Sequence, residues 1–333
     1  MLGIDLGPVR AAGRMASAPE TVLDFATGAY VAAGVVQPDL ASALTVSGGS
    51  FSRSGAGTAR QADGSLAAFA SGSARVTGRG LLIEAASTNL APWSWTPSNA
   101  GWSVGAGTKT PGQADPLGGT GAALFTADGT NAQHYLFMPS ATMTAGTTYV
   151  VSVLLKAGST SRVQLLLPSP RFAVTPYVNL LLSGTGSVTA SGGSPASAGV
   201  EAVAGGWVRA WLAGVCTSSG ASPVGGLFPL ATGAEGIAQV STSTGSFLAV
   251  GAQSEAGSQP SSAIVTSGSG ATRGGDEISV GLADGQQTIT VDWGEAERTV
   301  IARSSLADPG LFAFGASSGR PWVGSYVRRV RLG

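Results

Sequence analysis

Trp207-Val-Arg-Ala-Trp-Leu-Ala-Gly-Val215 puts Trp207, Trp211 and Val215 on one face of an extended chain, with Arg209 between the two tryptophans. Thr288-Ile-Thr-Val-Asp-Trp293 repeats the period, with Ile289, Val291 and Trp293 on one side and Thr288, Thr290 and Asp292 on the other. A strict period of two is the mark of a half-buried antiparallel strand. Further β-rich runs fall at Thr147–Leu155, Arg162–Leu167, Tyr177–Leu182, Phe247–Val250, Thr299–Arg303 and Tyr326–Leu332. Clusters of Gly, Ser, Pro, Asn and Asp separate them and supply turns. No convincing amphipathic helix is found. The Ala-rich Ser65–Ala70 is too short and is closed in by Gly64 and Gly72, and Ser183–Gly199 reads as a long loop. Regular solenoid repeats are absent. The fold class is therefore all-β.

Composition narrows the setting. The chain of 333 residues is 43% hydrophobic and 11% charged, carries no net charge and contains 51 glycines. A disordered chain would be poor in apolar residues and rich in net charge, so this one is expected to bury surface and fold. Low charge leaves solubility unguarded by electrostatic repulsion, which fits life within a larger assembly. It also argues against nucleic acid as a partner, since binding needs a basic surface to offset phosphates. The exception, Arg320, Arg328, Arg329 and Arg331, reads as the solvated or subunit-facing side of a final strand. A single cysteine, Cys216, excludes an intrachain disulfide framework and reads as a small core residue. No apolar run approaches the ~18 residues that suggest a membrane-spanning helix, so membrane insertion is not expected. Asp5 stands where an export signal would want basic residues, so synthesis in the cytoplasm without export is expected.

Two stretches bracket the middle of the chain: Arg79-Gly-Leu-Leu-Ile-Glu-Ala-Ala-Ser-Thr-Asn-Leu90 upstream, and Phe247-Leu-Ala-Val-Gly-Ala-Gln-Ser-Glu-Ala-Gly257 running on to Ala271-Thr-Arg-Gly-Gly-Asp-Glu-Ile-Ser-Val280. Together they resemble the non-enzymatic adhesin and fibre proteins of tailed bacteriophages and phage-derived particles. There an RGLLIE…TNL segment leads into a lectin-like β-sandwich that closes with a GAQLEAG…ATRAAD segment. Thr21-Val-Leu-Asp-Phe25 and Phe51-Ser-Arg-Ser54 extend the resemblance upstream. It implies a jelly-roll sandwich, similar to carbohydrate-binding modules, over residues 91–272. Around it lie a particle-anchoring leader (1–20), an N-terminal β-rich segment (21–90) and a small C-terminal β appendage (273–333). It also implies a virion protein, a tail fibre or head spike on the particle surface, made in the bacterial cytoplasm. Such a protein adheres to host-surface polysaccharide and contacts other virion proteins. Assembly as a homo-oligomer, a trimer, is expected by the same resemblance. Relatives often continue into a second lectin-like module where this chain has about sixty residues. Ser254 stands in place of the usual Leu and Ala263 in place of the usual Tyr. Those departures favour the alternative, a purely structural decoration or adaptor protein.

Sugar faces carry C–H groups that pack on aromatic rings, while their hydroxyls bond to Asn, Asp and Gln. Trp93, Trp95 and Trp102, with Asn99 between them, gather in a Pro/Ser/Gly-rich stretch at the mouth of the expected sandwich. Asp128, Asn131, His134 and Tyr135 supply a polar edge, and Tyr177 with Asn179 another. For Trp102, Trp207 and Trp211, core packing is the stronger reading. Catalysis is not expected. His134 is the whole imidazole inventory, and Gly315-Ala-Ser-Ser-Gly319 matches G-x-S-x-G but is followed by Pro321 rather than a helix. Paired acids, as in glycan depolymerases, need carboxylates facing a shared cleft. Glu84 and Glu255, inside the bracket, read instead as carboxylates that hold backbone amides at a sheet end. No cofactor is expected. A structural Ca²⁺ held by loop carbonyls and Asp128 or Asp115 is compatible with the sequence.

Overall fold

The computed structural model describes residues 20–231, 236–237, 239–308 and 310–333. The leader expected over 1–20 lies, apart from Glu20, outside the described residues.

The chain is all-β and is organised around two main hydrophobic cores. The larger lies between two six-stranded antiparallel sheets. The back sheet is ordered Gly107–Gln113, Ala122–Ala127, Ser246–Ala256, Thr148–Ala157, Trp207–Val215 and Ser197–Val203. The front sheet is ordered Ser103–Gly105, Tyr135–Phe137, Gly226–Pro229, Arg162–Leu166, Tyr177–Leu181 and Ser187–Gly192. Alternation along each strand sends Val151, Val153, Leu155, Phe247 and Ala249 of the back sheet toward Leu136, Val163, Leu165, Val178 and Leu227 of the front.

The tryptophan face of Trp207–Val215 is the outer one. Val208, Ala210 and Leu212 enter the sandwich core, while Trp207 packs on the back sheet's far side with Leu154, Val203 and Val250. Both faces of this central strand are covered, so the pattern marks two faces without saying which looks inward. Ser183–Gly199 is likewise not a loop throughout. It contains Ser187–Gly192, which pairs with Tyr177–Leu181, and the start of Ser197–Val203, which pairs with Trp207–Val215. Small residues there have weak strand propensity, and the neighbouring strands supply the order.

The second core belongs jointly to the two ends of the described chain. Thr21–Asp24 pairs with Ser325–Leu332, with Leu23 opposite Val330. Ser325–Leu332 also pairs with Thr288–Trp293 and Gly80–Ile83. Leu23, Leu81, Ile83, Val291, Val327 and Val330 are all buried in one cluster. The segment after residue 273 is therefore a part of the N-terminal body and not a separate appendage. A pattern of short strands gives no hint of pairing between residues 300 positions apart. Arg328 and Arg331 lie on the exposed side of Ser325–Leu332, the solvated face of a strand that sits inside its sheet. One short helix escapes the β pattern, Leu40–Val46, whose N-terminus is capped by Asp39 accepting from Ser42 N at 2.7 Å.

Gly251 shows what a bracket glycine does. Gln253 pairs with Ser152 and Val250 with Leu154, so two residues, Gly251 and Ala252, stand opposite Val153. That is a β-bulge led by a glycine at φ 72°, and a Cβ there would meet the Trp95 ring at 2.8 Å. Gly251→Ala should cost roughly 1–3 kcal/mol from the left-handed backbone, besides displacing Trp95, as read by denaturant unfolding. Deleting Ser325–Gly333 should strip hydrogen-exchange protection from residues 20–83 while leaving the amides of Thr148–Ala157 protected. Retained protection in 20–83 would contradict a shared core.

Candidate functional site

The two bracketing stretches meet between the cores. Ser87–Asn89 enters the sandwich beside Ala271–Arg273, which leaves it, and the two pair antiparallel. Beneath this stem lies a buried charge network. Arg75, wholly buried, donates to Glu84 Oε2 at 2.6 Å, to Ser262 Oγ at 2.6 Å, to the Thr58 carbonyl at 3.0 Å and to Asp276. Arg273 lies 3.3 Å from Glu84, and Arg53 lies 3.3 Å from Asp276. Glu84 also accepts from Ser262 N at 2.8 Å, and Asp276 accepts from Glu84 N at 2.9 Å. Glu255 accepts from Ser261 N at 3.0 Å and from the Gln253 amide at 2.6 Å. Asn89 uses its whole amide: it donates to the carbonyls of Ala252 and Ile264 and accepts from the amides of Ala91 and Ser254. The bracket carboxylates thus hold backbone amides and arginines.

Burial opposes the charge on Glu84, but Arg75, Arg273 and the Ser262 hydroxyl outweigh it and hold its carboxyl below the ordinary value. Burial likewise opposes the charge on Arg75, and Glu84 and Asp276 reverse the effect.

The sequence-derived sugar-site residues divide among several environments. Trp102 is fully buried in the sandwich core, and its indole donates to the Trp93 carbonyl at 2.9 Å. Trp93 is half-buried with φ 54 and lies beside Gly268. Trp95 is half-buried against the far side of the back sheet, near Gly251 and the Trp207 cluster. Asn99 organises a turn: its Oδ1 accepts from Gly101 N at 2.8 Å and its carbonyl from Lys109 Nζ at 2.6 Å. Asp128 and Asn131 are exposed, and Asp128 accepts from the Thr130 amide at 3.0 Å. His134 is buried, with its ring nitrogens 2.6 Å from the Ala106 carbonyl and 3.0 Å from those of Thr130 and Ser241. Asp128 and His134 approach at 3.6 Å.

Tyr135 is the member of this set that leads to a surface. Leu136 points into the core, so Tyr135 and Phe137 stand side by side on the outer face of the front sheet, ring centroids 4.5 Å apart. Phe228, from the neighbouring strand, joins them at 5.9 and 6.0 Å. Glycines at 105 and 226 leave room for these rings: a Cβ would come within 2.2 Å of Tyr135 at the first and 2.5 Å of Phe137 at the second. Tyr135 and Phe137 remain half-exposed. On the same face, Gln164 donates to Asn179 Oδ1 at 2.8 Å and to the Gly236 carbonyl at 2.9 Å, which closes that end. Phe137, Phe228 and Gln164 were absent from the sequence-derived set. The alternation of Tyr135-Leu-Phe137 and Gly226-Leu-Phe228 was the available signal, but their adjacency is a long-range pairing.

The catalytic patterns do not converge. Ser317, inside the G-x-S-x-G match, donates to Glu277 at 2.6 Å, while His134 is surrounded by backbone carbonyls in the other body. Asp115 spends its oxygens on the amides of Leu117, Gly119 and Gly121, and Asp128 on Thr130. Among the described residues no group of three or more His, Cys, Asp or Glu is placed to hold a metal. Comparison with family models and with curated proteins finds no match for the chain.

Glu84→Gln should leave Arg75 and Arg273 short of a counter-charge in a dry site and destabilise the protein by about 3–5 kcal/mol. Because its folded pKa is depressed, the contribution of Glu84 is complete above the unfolded value of about 4.3 and is lost as pH falls through the lower folded value. The wild type should therefore lose stability more steeply than Glu84→Gln as pH falls below about 4.3, as read by thermal melts across pH.

Proposed function

We propose that this chain is a non-catalytic surface protein of a phage or phage-derived particle, a fibre or spike on tail or head, that attaches the particle to host polysaccharide. The observation that carries the reading is the half-exposed ring pair Tyr135–Phe137, backed by Phe228, on the outer face of a six-stranded sheet. Tyr135 and Phe137, adjacent rings inclined at 39° to each other, offer apolar faces to the C–H groups of sugars, and a rigid sheet holds them in place without loop ordering on binding. The carboxylates of the bracket are consumed by arginines and amides, which fits adhesion better than acid–base chemistry. A shallow site of this kind is weak alone and becomes useful when a homo-oligomer, and then a particle, presents many copies.

The second reading, a decoration or adaptor protein that binds virion proteins alone, is favoured by a different surface. Val35 and Val36 on the edge strand Val35–Gln37 are 60% and 78% exposed, beside a groove lined by Leu40, Leu44, Phe51 and Val76. Exposed apolar edges of this kind are pairing surfaces.

Whole-cell and glycan-array binding by the recombinant protein, beside Tyr135→Ala/Phe137→Ala and Trp93→Ala/Trp95→Ala variants, separates the readings. The first variant should lower apparent affinity at least about tenfold, equivalent to ~1.4 kcal/mol, with its melting temperature near that of the wild type. Loss confined to the second variant would move the site to the Trp93 region. No glycan or cell binding by the assembled wild-type protein would favour the adaptor.

A further inference from the structure

Where the N-terminal body meets the far side of the back sheet there is a cleft of about 290 Å³, lined in part by Arg60, Arg79, Glu201, Arg209, Ser261 and Tyr326. Arg209 is its most telling member. The fully buried guanidinium groups among the described residues are matched with carboxylates: Arg75 with Glu84 and Asp276, Arg53 with Asp276, and Arg273 with Glu84. Arg209 stands directly opposite Glu201 in the pairing of Trp207–Val215 with Ser197–Val203. The Glu201 carboxylate nevertheless turns across the junction to Arg60. Arg209 is left with a hydrogen bond to Ser152 Oγ at 2.9 Å and no carboxylate within ion-pair distance among the described residues. Arg209 is half-buried, and that burial weakens its hold on the proton against the opposing, more distant charges of Glu255, Glu201 and Glu84. A partly desolvated cation that lines a cleft and has no carboxylate partner gains from an anion that enters from solvent.

The rest of the cleft sets the kind of anion. Arg79, contributed to the cleft by the other body, lies over the Tyr326 ring at 4.7 Å and has no carboxylate partner among the described residues either. The two carboxylates in its lining are committed, Glu84 to Arg75 and Glu201 to Arg60. Leu66, Leu82 and Val203 add apolar surface, and Thr58, Ser261 and Ser262 add hydroxyls. The volume is at the small end of the ~300–1,000 Å³ usual for ligand pockets, room for one sugar ring and not for a chain. We infer that this junction cleft binds a carboxylate-bearing sugar residue of the uronic acid class, with its carboxylate between Arg209 and Arg79 and its ring against the apolar wall. The inference rests on the glycan-adhesin reading for its ligand class, but not on the Tyr135–Phe137 face.

The test uses the full chain and two probes that differ only in the carboxylate, methyl α-D-glucuronoside and methyl α-D-glucoside, followed by saturation-transfer NMR and titration. The glucuronoside should bind at least tenfold more tightly than the glucoside and weaken as salt is raised. Arg209→Gln should remove at least tenfold of that preference, and Arg79→Gln, on the other body, should reduce it independently should Arg209→Gln fold poorly. Tyr135→Ala/Phe137→Ala should leave it unchanged. Equal binding of the two probes, no binding of either, indifference to both arginine substitutions, or equal competition by acetate would each overturn the inference. Cell binding without glucuronoside binding would remove this site and leave the adhesin standing. Glucuronoside binding without cell or polysaccharide binding would do the reverse.

Discussion

Arg75 has no exposure to water and sits between two hydrophobic cores, held by Glu84 on the way into the sandwich and Asp276 on the way out. Burying these charges is costly, and a set of well-packed apolar side chains could match its net contribution to stability. What apolar residues could not do is fix register. The network accepts one alignment, in which Glu84 also faces Ser262 N and Asp276 also faces Glu84 N. That alignment sets how Ser87–Asn89 lies against Ala271–Arg273, and through it how both bodies are joined. The sandwich, the shared core and the cleft between them all follow from this placement.

The bracketing residues therefore have a physical meaning that is architectural. Arg79-to-Leu90 and Phe247-to-Val280 build a junction, and a junction can be kept while binding surfaces on either side change. Asn89 uses all its hydrogen-bonding capacity on backbone groups, and Gly251 supplies a left-handed bulge. Both positions are buried. The Tyr135–Phe137 face and the walls of the cleft, by contrast, remain open to solvent.

Strands with strong local pattern were legible in the sequence: Tyr177–Leu181, Arg162–Leu166 and Thr288–Trp293 lie where alternation and turn residues put them. The amide-holding role of Glu84 and Glu255 was legible too, from their places inside the two bracketing stretches. What local pattern could not convey was partnership. Thr21–Asp24 finds Ser325–Leu332 across the whole chain, and Ser187–Gly192 becomes a strand only because Tyr177–Leu181 offers it an edge. The same limit governs the site. Tyr135 was visible, but Phe228 becomes its neighbour through a pairing some 90 residues distant, and Trp102, equally visible, is drawn inside by the core.

The stem also has a mechanical side. Ser87–Asn89 carries the chain toward the sandwich and Ala271–Arg273 carries it back, antiparallel and side by side. A load that draws the sandwich away from the other body pulls both strands in the same spatial direction. Their mutual hydrogen bonds are then neither sheared nor peeled, and tension is divided between two covalent backbones. Each backbone passes it directly to anchored neighbours, one to the strand Gly80–Ile83 and the other to Glu277–Gly281. A module hung in this way resists being torn from its base by traction on its surface, whatever that surface holds.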